Sequence, residues 1–155
     1  MTSSPSSGCG RPVLVSACLA GERCRYDGGE SLRTDLLEAL ARAGEWPVLF
    51  CPEVFGELGT PRPPAWIERR SAEAVVDGED RVITAAGGDV TTAFLRGARG
   101  ALAACREHRI ERAYLKERSP SCGVQWTHVG GAVVEGPGVA AAFLRRAGIE
   151  VRGVP

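Results

Sequence analysis

Pro12-Val13-Leu14-Val15-Ser16-Ala17, followed at once by Cys18-Leu19-Ala20-Gly21, decides how this chain folds. The first run is apolar and carries β-branched valines, so it reads as a buried strand. The cysteine and the glycine after it mark a turn. The pattern then recurs. Pro47-Val48-Leu49-Phe50 is a second buried strand that delivers Cys51, and Arg112-Ala113-Tyr114-Leu115-Lys116 is a third that leads into Ser119-Pro120-Ser121-Cys122-Gly123. Three cysteines thus lie just beyond predicted strand ends.

Helical patterns separate these strands. Ser31 predicts an N-cap, with Leu32, Leu36, Leu37 and Leu40 at helical spacing and Gly44 as the stop. A long helix is expected from about Val90 to His108, with Phe94, Leu95, Ala98, Leu102 and Cys105 as its buried stripe. Gly138 to Ala147 reads as a last helix and Ile149-Glu150-Val151 as a last strand. Pro52 to Arg70 is proline-rich and holds the stiff segment Thr60-Pro61-Arg62-Pro63-Pro64. Ala74-Val75-Val76, Asp77-Gly78-Glu79-Asp80 and Arg81-Val82-Ile83-Thr84 predict a β-hairpin, and Val124 to Val134 a second around Gly130-Gly131. Alternating strands and helices predict an α/β fold: a Rossmann-like, mostly parallel sheet with flanking helices and one or two small hairpins. Such folds bind ligands outside the carboxyl ends of their strands, at a topological switch point.

The chain has 155 residues, enough for one domain with a full core. Residues 1–10 are small and polar, without the basic start and apolar centre of a secretory signal, so they are expected to be a disordered leader. Residues 11–155 then form the single domain, in the cytoplasm, where thiols stay reduced. Nineteen basic residues balance nineteen acidic ones, which disfavours an extended nucleic-acid footprint. No apolar run approaches the roughly 18 residues that would span a membrane.

Cys18, Cys51 and Cys122 carry the chemistry. No pair has Cys-x-x-Cys spacing, so any shared site depends on the fold. Converging thiolates from the three loops are an incomplete ligand set for a four-iron cluster, leaving one iron open. Small buried core residues, or three zinc ligands, fit the same residues. Pro52, Pro120, Gly21 and Gly123 around the cysteines favour a built site, because core cysteines usually sit within regular elements. Gly-x-Gly-x-x-Gly after the first strand and the phosphate-binding Gly-x-x-x-x-Gly-Lys are both missing, so no nicotinamide, flavin or ATP site is supported.

Five motifs in order resemble the bacterial thiouracil desulfidase family. They are Val15-Ser16-Ala17-Cys18-Leu19-Ala20-Gly21, Cys24-Arg25-Tyr26-Asp27-Gly28-Gly29, Cys51-Pro52-Glu53, Thr60-Pro61-Arg62-Pro63-Pro64 and Leu115-Lys116-Glu117-Arg118-Ser119-Pro120-Ser121-Cys122-Gly123. The resemblance covers nearly everything from Pro12 to Val151. It implies a Rossmann-like domain holding a 4Fe-4S cluster on Cys18, Cys51 and Cys122. The activity it implies is non-redox conversion of 2-thiouracil to uracil and sulfide, with a transient extra sulfide on the open iron. The partner so implied is a small thiolated pyrimidine. A non-catalytic cluster or sulfur carrier, or a sensor, is the alternative.

Hydrolysis of this kind needs a proton acceptor for water. Glu53 is the first candidate and Asp27 the second, although Asp27 equally suits a turn that bonds its own backbone. Lys116 is placed to offset developing negative charge, and Ser119 and Ser121 to hydrogen-bond the sulfur or the substrate. Arg25, Tyr26, Arg62 and Trp66 are candidates to shape a pocket for a flat ring. Cys24 is left out of the ligand set, Cys9 falls in the leader, Cys105 reads as core, and His108 and His128 have no metal-type partner in sequence.

Overall fold

A computed structural model describes residues 10–155. The expected leader, with Cys9, lies outside the described residues except for Gly10. The strands are β1 (Arg11–Ser16), β2 (Glu45–Phe50), β3 (Ala65–Ile67), β4 (Val82–Thr84), β5 (Arg112–Lys116), β6 (Trp126–Val129), β7 (Ala132–Glu135) and β8 (Glu150–Val154). The helices are α1 (Thr34–Arg42), α2 (Pro52–Phe55), α3 (Ala72–Val76), α4 (Thr91–His108) and α5 (Val139–Arg146), and a 3-10 turn covers Ala17–Ala20. Among the described residues, no helix is long and apolar enough to cross a membrane.

The first sheet runs β2-β1-β5-β8, and every pairing in it is parallel. Alternation along β1 explains why it is apolar throughout. Val13 and Val15 pack with Leu36 and Leu40 of α1 on one face. Leu14 meets Ala101 and Cys105 of α4, and Ala141 and Leu144 of α5, on the other. The chain leaves β1 for β2 on one side, then crosses back to β5 on the other. That reversal makes the carboxyl end of β1 the switch point, and it sets the ends of β2, β1 and β5 side by side.

The second sheet, β4-β3-β6-β7, has antiparallel outer pairs joined by the parallel pair β3–β6. Beneath it lies a core of Ile67, Ala72, Val75, Val82, Phe94, Ala98 and Val139. α4 serves both cores, with Phe94 and Ala98 under the second sheet and Ala101 and Cys105 under the first.

The α/β class, the parallel sheet and the 126–135 hairpin match the sequence reading. Three local expectations are corrected. First, Ala74-Val75-Val76 is not a strand but belongs to α3. The Ser71 hydroxyl accepts the Ala74 N–H at 3.1 Å and starts the helix, and its apolar residues pack into the second core. Second, the true partner of Val82–Thr84 is β3, a strand hidden behind the prolines. Third, α1 begins at Thr34 without a side-chain cap. Ser31 lies outside it and accepts a hydrogen bond from Arg25 Nη1 at 3.1 Å, and Leu32 is exposed.

Candidate functional site

Three loops meet beyond the carboxyl ends of β1, β2 and β5. They line a cavity of about 440 Å³ whose wall includes Cys18, Cys24, Cys51 and Cys122. Each cysteine is set by its local backbone. Cys18 sits in the 3-10 turn, and its carbonyl accepts N–H bonds from Gly21 and Ser31. Cys51 precedes α2 with Pro52 at the first helical position, and its carbonyl accepts the Phe55 N–H at 2.9 Å. Cys122 is pinned by Ser119, whose hydroxyl oxygen accepts the N–H groups of Ser121 at 3.1 Å and Cys122 at 2.9 Å. Gly123 follows because a side chain there would run into the Trp126 carbonyl.

Glu117 holds the whole Cys122 loop. Its buried carboxylate accepts the N–H groups of Val124, Gln125 and Trp126 at 2.9–3.1 Å. Three donors satisfy a charge that would otherwise be costly to bury.

Arg62 plays the same part for the other two loops. Its Nε donates to Glu53 Oε1 at 2.9 Å and its Nη2 to the Cys24 carbonyl at 2.8 Å, while Nη1 reaches the Gly59 carbonyl and Thr60 Oγ1. Both members of the Arg62–Glu53 pair are largely buried. One guanidinium therefore fixes the Glu53 carboxylate relative to Cys24.

Helix packing supports the Cys51 corner. α2 lies against α4, where Gly97 and Gly100 leave room for Pro52 and for the Phe55 ring. Neither glycine was singled out in sequence. The signal was present as two small residues three apart on an exposed-looking helix face, but nothing in the sequence named their partner.

Their surroundings favour the neutral thiol at Cys24, Cys51 and Cys122. Burial pushes the Cys122 thiol up to about 12, against the nearby Ser16 hydroxyl, which pulls it down. Contact with Cys18 raises the Cys24 thiol to about 11. Cys51 is pushed well above the ordinary thiol value, first by contact with Cys24 and then by burial. Burial also lowers the Lys116 ammonium, with a further push from Arg25. Among the described residues, no three His, Cys, Asp or Glu side chains stand close enough to grip a single metal ion.

Of the residues singled out in sequence, Cys18, Cys51, Cys122, Glu53, Lys116, Ser119, Arg25, Tyr26, Arg62 and Trp66 all line the cavity. Lys116 Nζ donates to the Glu117 carbonyl at 3.1 Å. Asp27 and Ser121 do not line it. Asp27 Oδ1 accepts the Gly29 N–H at 2.9 Å in an exposed turn, because a short carboxylate closes locally onto its own backbone. Ser121 is fully buried behind the loop, and among the described residues its hydroxyl has no hydrogen-bond partner.

Sequence reasoning weighed Cys24 and His128 and set both aside as ligands, and gave Ser16 no role, yet all three stand on the wall. Cys24 packs with Cys18 and Cys51, and its carbonyl lies 3.9 Å from the Cys51 sulfur. His128 reaches the wall from β6 and bonds the Arg118 carbonyl through Nε2 at 2.9 Å. Ser16 closes the floor at the end of β1. For Cys24 the hint was its shared motif with Arg25 and Tyr26; for His128 there was none.

Comparison with known proteins follows the same residues. The family model described as 2-thiouracil desulfurase matches residues 13–153. The uncharacterized protein YbbK of Bacillus subtilis (strain 168) is 38% identical over 142 residues, covering 90% of this chain and 93% of its own. The solved structure of the 4Fe-4S-dependent thiouracil desulfidase TudS is 42% identical, with a TM-score of 0.78, covering 92% of this chain and 90% of that one.

Proposed function

This chain belongs to the 2-thiouracil desulfurase family, and from that premise we propose that it is a cytoplasmic iron–sulfur desulfidase converting 2-thiouracil to uracil and sulfide. The observation that carries the reading is the convergence of Cys18, Cys51 and Cys122 on one cavity beyond three adjacent parallel strands. Thiolates are the soft donors that iron–sulfur clusters use, and three of them leave a four-iron cluster one ligand short. The residues therefore fit a 4Fe-4S cluster held by the three cysteines. When bound, such a cluster supplies a Lewis-acidic iron with one position open to a soft thiocarbonyl sulfur.

The protein's own groups do the rest. The cavity volume suits a small ring with a few polar contacts. Tyr26, Trp66 and the Arg25 guanidinium offer flat faces for the pyrimidine. Glu53 has one carboxylate oxygen on Arg62 and keeps the other for the proton of the attacking water. Lys116 and Ser119 supply positive charge and a hydroxyl proton to the negative charge that grows as water adds. The ring carbon gains the oxygen of water, the C–S bond breaks and the sulfur leaves as sulfide, so no electron is gained or lost. A carrier or sensor would have little use for a ring-sized cavity lined by an oriented carboxylate, which favours the enzyme.

The test is anaerobic cluster reconstitution followed by measurement of sulfide and uracil from 2-thiouracil. Four irons per chain with both products are expected. Cys18→Ala, Cys51→Ala and Cys122→Ala should each lose the cluster. Full iron loading of any one would remove that cysteine from the ligand set, and a loaded wild type without turnover would overturn the substrate.

A further inference from the structure

The β6–β7 hairpin sorts its side chains by alternation. Thr127 is buried and Val129 packs on the second core, so both face inward. His128 lies on the other face, opposite Val133, and its imidazole lines the wall of the cysteine cavity.

The ring is held by one end. His128 Nε2 lies 2.9 Å from the Arg118 carbonyl. A carbonyl oxygen only accepts, so Nε2 carries the ring proton. In the neutral imidazole that fixes the tautomer and leaves Nδ1 as a bare acceptor. Among the described residues, the Arg118 carbonyl is the ring's one hydrogen-bond partner. Arg118 is itself anchored, because its N–H donates to the Trp126 carbonyl at 3.1 Å. Two hydrogen bonds between these segments therefore set where the ring stands.

Acceptors are scarce on the rest of the wall. Arg25, Lys116 and Arg118 have side chains that only donate. The Glu117 carboxylate is filled by backbone N–H groups, and Glu53 is divided between Arg62 and the attacking water. Ser119 Oγ already accepts two N–H groups. A thiolated pyrimidine brings two ring N–H donors beside its thiocarbonyl, and each needs an acceptor once water is stripped from it.

We propose that His128 is a specificity-determining residue whose Nδ1 accepts one ring N–H of the bound thiopyrimidine. It thereby selects rings that are unsubstituted at that nitrogen and sets which edge enters the cavity. The inference rests on the desulfidase reading above and adds a recognition group to it. His128 transfers no proton and makes no bond to the ring beyond this hydrogen bond.

The experiment compares wild type, His128→Phe and His128→Asn after anaerobic reconstitution, in mildly alkaline buffer. Iron content and a thermal melt come first. KM and kcat are then read for 2-thiouracil, with the constants at which 1-methyl- and 3-methyl-2-thiouracil compete against it. His128→Phe is expected to keep its iron and its melt, to raise KM about 10-fold and to leave kcat within about threefold, as lost uniform binding does. In the wild type, one of the two methylated rings should bind about 10-fold more weakly than 2-thiouracil, and in His128→Phe that handicap should vanish. An unchanged KM, or the same handicap in wild type and His128→Phe, overturns the proposal. Should His128→Phe lose iron or fold, His128→Asn decides, since its amide oxygen can stand in for Nδ1. A wild-type handicap there supports the acceptor role, and loss of the handicap or of the cluster refutes it. A loaded wild type that does not turn over 2-thiouracil sinks the desulfidase reading and this inference together. Wild-type turnover with no change in the variants sinks this inference alone.

Discussion

Gly97→Ala is the sharpest test of how the Cys51 corner is held. A methyl placed on Gly97 would sit 2.7 Å from the carbonyl carbon of Pro52 and 3.0 Å from its Cα, and would overlap the carbonyl oxygen. These are backbone atoms with no rotamer to escape into. α2 must therefore withdraw, taking Cys51 and Glu53 with it, because Pro52 lies between them. Overpacking of this kind costs about 1–3 kcal/mol. Replacing glycine inside a helix returns about 1 kcal/mol. Folding stability should therefore change by no more than about 2 kcal/mol, a fall of roughly 4–8 °C in melting temperature for a chain of this size. Turnover is more sensitive, since a misplacement of about 1 Å at reacting groups costs on the order of 100-fold.

Gly100→Ala is the internal control. Its methyl would meet the Phe55 ring, which is 50% exposed and can turn outward at the cost of its contact with Phe50. That variant should keep nearly wild-type turnover. The assay is sulfide release from 2-thiouracil, alongside iron content and a thermal melt. Gly97→Ala with iron content and turnover within about twofold of wild type would show that the close contact does not position the site.

Glu53→Gln should retain iron and its Arg62 contact while losing turnover by about 100- to 10,000-fold, as expected for removal of a general base; unchanged kcat would end that assignment. Cys24→Ala should load the same iron as wild type and lose only about 1 kcal/mol of stability, checked by iron analysis and denaturant melts, and missing iron would add Cys24 to the ligand set. Asp80→Asn should destabilise the fold by about 2 kcal/mol, because the buried carboxylate accepts backbone N–H groups from Arg69 to Ser71 and from Arg81. Burial opposes its ionisation, but these hydrogen bonds outweigh that and hold its pKa below the ordinary aspartate value. Its contribution is thus complete above about pH 4 and is lost as pH falls through the depressed folded value. Melts of wild type and Asp80→Asn should converge in acid, and a constant gap from pH 7 to pH 2 would contradict this.

The sequence by itself determined the parallel sheet and the loops that carry the three cysteines. Buried parallel strands such as Pro12–Ala17 must be apolar on both faces, and the residues that end them must turn, so both signals are local. Ser119 and Gly123 around Cys122 were legible for the same reason. Strand misassignment at Ala74-Val75-Val76 marks where local reading fails, since two valines suit a strand or a buried helix and only the Ser71 cap and the core beneath choose between them. The tertiary structure alone decided which residues face the cavity. Asp27 bonds its own turn, Ser121 is buried behind the loop, and His128 arrives from β6, whose sequence carries no trace of the meeting. Arg62 on Glu53 and Glu117 under the Cys122 loop close short loops that follow no helical or strand period, and Gly97 against Pro52 joins two helices far apart in the chain. Packing density and the hydrogen-bond demand of buried polar groups set them, and both come into being only when the layers close.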